Sequence, residues 1–565
     1  MSFFSPITAR SPALRWIYGG VYAILIFGAV TMVLPLLVSL TGSVAGNYDA
    51  NLVSFFPRFL HSPTDQWRRY LDAKYSGTVD YYSVAHNQPA LAMKTASLPA
   101  ALPDAEKIKL WKEFLQESPV PADRFLIGFT RPNPKEAAYY NRQFVKYLLK
   151  KFGSVDAMNE KLNTLFAFTQ DIVPPLSTLI GPVPQENAFG SEFIEFEKTI
   201  PIERKIAWNA GSYFRNLFVP QQFGFSINAY NTSAGTHYKD FSEISFSATV
   251  PHLGKAAWYQ FVSKAVSPRY IELTPEGEAA RVKSGLSKAN FIRSSAKPEQ
   301  LVVNSPDLQF SAWAAKKGIA NAQIPQVDLD YADFLEHRTF WIGQFLTQNY
   351  VYVLDGVVFQ GTALMNTIIL IILTVGGALI VNPLAAYALS RFKLKQSYTI
   401  LLFFLLTIAF PAEVTLIPNF LMLKELNWMN TFAALVVPGL VNGFSVFLLK
   451  GFFDSLPREL YEAAEIDGAS ESVIFWGITM NLSKPILAVI ALSAFTSAYG
   501  AFMFALIIAP DPKMWTLMVW IYQLRQNVGP DIVYASVILT ALPVLIVFLF
   551  AQNIILRGIV VPSEK

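Results

Sequence analysis

The sequence predicts an all-α polytopic membrane protein, with six transmembrane helices and a large, mainly helical extracytoplasmic domain between the first and the second. Three observations predict it. An uncharged stretch runs from Trp16 to Leu40, 25 residues, and a helix of ~20 apolar residues spans a bilayer. Five further apolar stretches follow position 361, at about 364–389, 398–421, 431–452, 486–509 and 533–556. The basic residues flanking these stretches all fall on one side if six helices alternate.

The elements follow in order. Arg10 and Arg15 precede the first span. A signal peptide cleaved near Ser43-Val44-Ala45 is the competing reading, but its apolar core would be only ~7–15 residues long, so a retained helix is favoured. Residues 1–40 are thus a cytoplasmic N-terminus with span 1, residues 41–361 an external insertion, and residues 362–565 a membrane core. Arg391, Lys393 and Lys395 join spans 2 and 3. Lys450 and Arg458 follow span 4, Lys484 precedes span 5 and Arg557 follows span 6. Both termini are then cytoplasmic, in an inner membrane crossed several times. Pro383, Pro411, Pro418, Pro438 and Pro543 interrupt the spans, which is tolerated where neighbouring helices or water satisfy the freed carbonyls.

Composition excludes several classes. The 565 residues carry a net charge of +4, no cysteine and only 15% charged residues, with a mean hydropathy of +0.34. That rules out a disulfide scaffold, a Cys-ligated metal site and a disordered chain. The excess of 45 basic over 41 acidic residues is too small to indicate nucleic acid. Five histidines show no metal-ligand spacing, and no cofactor is expected.

The cytoplasmic link at 450–485 is long and patterned. Ser455 or Leu456 can cap a helix with Pro457 in its first turn. Residues 458–467 favour helix, and Gly468 stands where a glycine would stop it. Leu460, Ala463, Ala464 and Asp467 share a face at i, i+3, i+4 spacing. Adjacent alanines leave a shallow surface for a partner's groove, while Glu462 and Asp467 offer handles for arginine or backbone donors. A second short helix at about 470–479 leads back to the membrane.

Glu462-Ala463-Ala464, Asp467-Gly468-Ala469, Phe475, Ile478 and Pro485 together resemble the EAA loop of ABC-importer permeases. Asn366-Thr367, the 385–392 run AAYALSRF, Pro411-Ala412-Glu413 with Ile417-Pro418, and Ala535-Ser536 with Pro543 are similar to the MalG-like permeases of carbohydrate importers. The sequence departs from that pattern where Met480-Asn481 replaces Leu-Pro and where 498–502 (AYGAF) replaces a Trp-Asn motif. The resemblance implies a type I ABC-importer permease fold and a non-catalytic transport subunit. It also implies a second permease subunit, two cytoplasmic ABC ATPase subunits docking on Glu462, Ala463, Ala464, Asp467, Gly468 and Ala469, and an extracytoplasmic solute-binding protein, all in a lipid bilayer. The chain has no G-x-x-x-x-G-K-[ST], so ATP would be bound by the partners. No catalytic or metal site and no nucleic-acid partner is implied.

Within the spans, Glu413 is an acid in apolar surroundings and so a pathway candidate. Pro411 and Pro418 beside it point equally to a distorted helix. Tyr499 could stack on a sugar, although packing explains such a residue more often. In the insertion, Tyr75-Ser-Gly77, Phe152-Gly153 and Phe223-Gly224 mark a threefold internal repeat, each followed by a Val/Ile-Asp/Asn helix start. A second box follows each copy: Trp111/Phe114, Phe193/Phe196 and Trp258/Phe261, at i, i+3 spacing. The insertion is expected to be a docking or scaffolding domain. A membrane-anchored glycosidase or glycan-binding protein is the alternative class; it would need only one anchoring helix, and no pair of carboxylates stands out. A permease for a non-sugar solute is the third reading.

Overall fold

The computed structural model describes residues 12–46, 56–89, 92–121, 124–131, 137–166, 169–175, 187–359, 362–392, 394–408 and 411–557. It divides into two compact units, Met1–Val351 with Gly529–Ile532, and Tyr352–Val528 with Val533–Lys565.

The first unit begins with one uninterrupted helix, Pro12–Ser43, which runs through Pro35. Its apolar side chains, among them Ile24, Phe27 and Leu36, are exposed. A surface of that kind is compatible with lipid rather than water. The rest of the unit is helical but not entirely so. Four strands of three residues form two antiparallel ribbons: β1 (Phe125–Ile127) with β2 (Lys205–Ala207), and β3 (Ile271–Leu273) with β4 (Leu301–Val303). The all-α expectation is corrected here. Runs this short show no alternation, and β1 and β2 are buried throughout, so no period of two is visible.

The three sequence copies adopt one local design. A helix (Pro63–Lys74, Tyr139–Phe152 or Val219–Gln222) ends at a left-handed glycine, Gly77, Gly153 or Gly224, with φ of 69°, 85° and 59°. Only glycine takes this conformation at little cost. An eight-residue helix follows in each, Val79–His86, Val155–Leu162 and Ile227–Ala234. Each of these ends on a left-handed residue, Asn87, Asn163 or Gly235. In the second copy, Asn159 donates to the Phe166 carbonyl (2.8 Å) and accepts from Phe166 N–H (3.1 Å) and Thr164 Oγ1 (2.7 Å). Asn231 makes the same three bonds, at the same spacings, to Tyr238 and Thr236. The prolines that follow the second and third aromatic boxes have a structural role as well. Pro201 and Pro268 open single 3-10 turns that feed directly into β2 and β3. All six box aromatics are buried.

A buried charge network fastens the Gln326–Glu336 helix to the first copy. Asp330 meets Lys74 Nζ at 2.8 Å, His86 Nε2 at 2.8 Å and the Tyr75 hydroxyl, and accepts from Gln326 Nε2 at 2.7 Å. Lys74 and Asp330 side chains are fully buried. Burial alone would raise the Asp330 pKa, but Lys74 and His86 together hold it well below the usual carboxylate range. Gln326 Oε1 also accepts from the Ala207 N–H at 3.3 Å, which ties β2 to the same point.

The second unit contains the remaining apolar stretches, but only two are single long helices: Ala363–Arg391 and Pro530–Arg557, continuous through Pro383 and Pro543. With Pro12–Ser43, three helices among the described residues are long and apolar enough to cross a membrane, or up to five if two bent pairs each count as one span. The expected third span is two helices, Ser397–Ile408 and Ala412–Glu425, the latter beginning at Pro411. The fourth divides into Phe432–Val436, a 3-10 turn Val437–Gly439, and Gly443–Asp454, bent by 50°. The fifth ends at Tyr499, with Met503–Ile508 following separately. Proline without an N–H and glycine without a side chain are the physical reasons: Pro411, Pro438, Gly439 and Gly500 lie at these breaks.

The central Ala363–Arg391 helix packs on both Gly443–Asp454 and Lys484–Tyr499. Its Asn382, fully buried, closes the break in the fourth span. Nδ2 donates to the Ala378 and Leu440 carbonyls (3.0 and 3.1 Å), and Oδ1 accepts from the Asn442 N–H at 2.8 Å. Asn442 in turn caps Gly443–Asp454 through Ser445 N–H. Near the start of the same helix, Asn366 Nδ2 donates to the Lys513 and Trp515 carbonyls, and Thr367 Oγ1 accepts from Leu517 N–H.

Two substitutions test these supports. Asp330→Ala leaves Lys74 buried without its counter-charge and is expected to cost about 3–5 kcal/mol, read as a lower unfolding midpoint by tryptophan fluorescence. Because the folded pKa of Asp330 is depressed, its contribution is present above the unfolded value of about 3.9 and is lost as pH falls through the folded value. Asn382→Leu leaves the backbone at 440 and 442 unpaired, at about 1–3 kcal/mol for each group, measured as a lower melting midpoint in detergent.

Candidate functional site

The link between the fourth and fifth spans folds as two helices. The first, Arg458–Ile466, starts after Pro457, which is itself the N-cap with φ −58° and ψ 128°. The sequence expectation of Ser455 or Leu456 as cap is corrected: Ser455 still terminates Gly443–Asp454, its Oγ donating to the Phe452 carbonyl at 2.6 Å. The helix stops where expected. Gly468 has φ +74°; its N–H meets the Glu465 carbonyl and the Ala469 N–H meets the Ala464 carbonyl, both at 3.0 Å. This is a Schellman closure. A Cβ at 468 would meet nothing within 4 Å, so the requirement for glycine is conformational.

The helix has two unlike faces. Tyr461 and Ala464 are buried with Ile474, Phe475 and Phe453, and the Tyr461 hydroxyl lies 3.2 Å from Thr479 Oγ1. Glu462, Ala463, Asp467 and Gly468 are exposed, and Ile466 is 87% exposed. The two alanines therefore do not form one docking surface. The burial boundary passes between them, because Ala464 turns about 100° further toward Phe475. Ala469 is half-buried beside this core. Among the described residues, neither Glu462 nor Asp467 has a side-chain partner.

The end of the Ala363–Arg391 helix holds the link in place. Arg391 pairs with Glu465, and its guanidinium lies 5.0 Å from the centre of the Tyr461 ring. Tyr387 donates to Glu471 Oε2 at 2.6 Å and packs edge-on against Phe475. Ser390 Oγ donates to Asp454 Oδ1 at 2.6 Å, and Lys450 pairs with the same carboxylate at 2.5 Å. Sequence reasoning used Arg391 as a marker of sidedness and as part of the 385–392 resemblance, not as an anchor. No spacing signal connects 391 to 465, so this anchor was not visible.

The second link helix runs from Glu471 to Leu482, with a wider π-helical turn at Ile474–Thr479. Asn481 continues it, its Nδ2 donating to the Gly477 carbonyl at 2.7 Å. The chain then bends by 82° into Lys484–Tyr499, where Pro485 occupies the first turn. The re-entry is thus made at Ser483, without a proline at 481.

The pathway candidates separate. Pro411 caps and Pro418 lies within Ala412–Glu425, so both shape the backbone; the Glu413 side chain lies outside the described residues. Tyr499 is buried and its hydroxyl donates to the Thr540 carbonyl at 2.6 Å, which makes it an anchor between the fifth and sixth spans. Among the described residues no three His, Asp or Glu side chains gather as a metal site.

Residues 382–561, which include the whole link, match the family model described as binding-protein-dependent transport system inner membrane component. A putative ABC transporter permease protein, ORF2, from Caldicellulosiruptor sp. (strain Rt8B.4) is 33% identical over 221 residues, 38% of this chain and 80% of that protein. The chain belongs to this permease family. The permease is also similar to the sn-glycerol-3-phosphate transport system permease protein UgpE of Yersinia pestis bv. Antiqua, 33% identical over 36% of this chain and 74% of that one. The galactooligosaccharides transport system permease protein GanQ of Bacillus subtilis is 32% identical, over 36% and 73% of the two chains. These relatives are transport proteins, so the chain is a transport subunit of an ABC importer rather than an enzyme. Only about a third of the permease is matched in each case.

The anchor on the link gives a direct test. Arg391→Ala removes a half-exposed ion pair, so its cost is at most about 1 kcal/mol. The permease is expected to fold normally while amide exchange over 458–482 quickens about fivefold, read by hydrogen–deuterium exchange; unchanged exchange would remove Arg391 from this role.

Proposed function

We propose that this permease is one half of the membrane pathway of a binding-protein-dependent, ATP-driven importer of sugars or oligosaccharides, of the MalG-like kind. It would cross the inner membrane six times, the broken third, fourth and fifth stretches each counting as one span. Both termini and the 450–485 link would face the cytoplasm and the 41–361 insertion the outside. Its partners would be a second permease subunit, two ATPase subunits and an extracytoplasmic solute-binding protein.

The observation that carries this reading is the two-faced Arg458–Ile466 helix. One face is built into the permease and the other presents Glu462, Ala463 and Asp467 with no side-chain partner among the described residues. Such a helix suits insertion into a cleft of an ATPase, where Glu462 would meet a basic residue. Closure of the ATPases on ATP would displace the link. Because Arg391, Tyr387 and Ser390 grip it, the displacement would reach the Ala363–Arg391 helix together with the fourth and fifth spans, a rigid rocking that alternates access.

The likeness to a galactooligosaccharide permease and the scarcity of charge in the spans favour a neutral solute. The likeness to a glycerol-3-phosphate permease supports an anionic one, which would require basic residues along the path. Competition of uptake by neutral oligosaccharides against glycerol phosphate decides between them.

Glu462→Lys and Gly468→Leu are expected to leave membrane insertion intact and to lower solute-stimulated ATPase activity and uptake at least about tenfold, by loss of a charge-assisted contact and by strain at a left-handed position. Wild-type uptake in both variants would sink the docking assignment.

A further inference from the structure

The first unit contains a cleft of about 420 Å³, within the ~300–1,000 Å³ range of small-molecule sites. It lies between the end of the Val79–His86 helix, the Ala105–Glu117 helix, Asn209 and the 319–328 segment. Its lining joins polar and apolar halves: His86, Asn209, Asn321 and Gln323 against Phe310 and Ile324.

Two of the polar residues are over nine-tenths buried and only partly used. His86, 7% exposed, has Nε2 against the Asp330 carboxylate, while Nδ1 has no hydrogen-bond partner among the described residues. Asn209, also 7% exposed, spends Oδ1 on the Ser212 N–H at 2.8 Å; its Nδ2 has no partner among the described residues. Both side chains line the cleft and keep polar capacity that the described residues do not fill. The Asp330 carboxylate can only accept, so His86 Nε2 carries a proton toward it and Nδ1 is the ring atom left for a ligand. A ring nitrogen and an amide donor suit a hydroxyl group, which can both donate and accept. Gln323 adds to this at the rim: Oε1 accepts from Asn87 Nδ2 at 3.3 Å, and Nε2 is free among the described residues.

The charge at the cleft is balanced. Lys107 is paired with Asp104 at 3.3 Å, and Asp328 accepts from the Asp104 N–H at 2.9 Å. No unopposed cation remains to select an anion. The Phe310 and Ile324 side offers an apolar wall for a ring's C–H face.

We propose that this cleft binds a neutral polyhydroxylated ligand of about one sugar residue, with His86 Nδ1 and Asn209 Nδ2 hydrogen-bonded to its hydroxyls. The site lies wholly within the first unit and does not depend on the transport reading.

The test is calorimetric titration of the full-length protein in lipid nanodiscs with glucose, galactose and glucuronate. Saturable binding of at least one neutral hexose is expected. Gln323→Ala, at an exposed position, should weaken it about threefold to tenfold, the worth of one uncharged hydrogen bond. Ala322→Trp, which fills the rim, should abolish it, with Glu462→Lys as an unaffected control. Should Ala322→Trp melt early, Gln323→Ala decides. Three results overturn the proposal: no saturable binding of either hexose by the wild type, wild-type affinity in Gln323→Ala, or glucuronate binding more than about tenfold tighter than both hexoses.

Discussion

A helix broken inside a hydrocarbon layer must find partners for the backbone groups that the break releases, and the second unit is organised around that requirement. Asn382 meets it for the fourth span. Its carboxamide donates to the 440 carbonyl and accepts from the 442 N–H, so one side chain bridges both edges of the break. Glycine makes the approach possible. A Cβ at Gly377 would collide with the Leu440 side chain, and one at Gly443 with the Phe404 carbonyl. Asn366 and Thr367 repeat the solution one end of the helix away, on the 513–517 segment. The Ala363–Arg391 helix is consequently the element to which the others are bonded, and its C-terminal turn also holds the link.

The first unit meets a different constraint. With no cysteine, its tertiary structure depends on packing and on polar side chains that close loops. Asn159 and Asn231 each lock the loop after an eight-residue helix through three bonds. The first copy has Ser83 at that position, and the Gln326–Glu336 helix joins that copy through a buried ion pair at Asp330. Such a pair contributes little net stability, because desolvation offsets the attraction, but it is strict about geometry.

How much of this was legible follows from which physics is local. The apolar stretches were readable because a span needs length and composition alone. The left-handed glycines were readable because a positive φ restricts residue type at one position: Gly77, Gly153, Gly224 and Gly468 all stand at helix ends. The turn at Gly468 and the start of the following helix lie within a residue or two of their expected places. Pairings between distant positions were not legible. Nothing near 382 announces 440–442, nothing near 391 announces 465, and Asp330 is over 240 residues from His86. The ribbons were missed for a related reason: three residues are too few to show a period, and only pairing makes β1 a strand. For Tyr499, packing was the favoured reading over stacking on a sugar, but its partner, the Thr540 carbonyl, could not be read from the sequence.

The split between Ala463 and Ala464 bears on how a link of this kind can transmit force. A helix that merely touched a partner would need no inward face, and two small residues could both line the contact. Here the inward residue is enclosed by Phe475, Phe453 and Tyr461; a larger side chain there would push the helix off the permease. The outward alanine keeps the surface low between Glu462 and Ile466, where a partner's backbone can come close. Small size seats the helix on the permease at Ala464, and under the proposed docking it would admit another protein at Ala463. The Schellman closure at Gly468 then fixes the angle to the second link helix, and the 82° bend at Ser483 fixes the angle to the fifth span. With these joints determined by backbone geometry, a displacement at Glu462 under the proposed docking would pass through the Arg391–Glu465 pair to the Ala363–Arg391 helix.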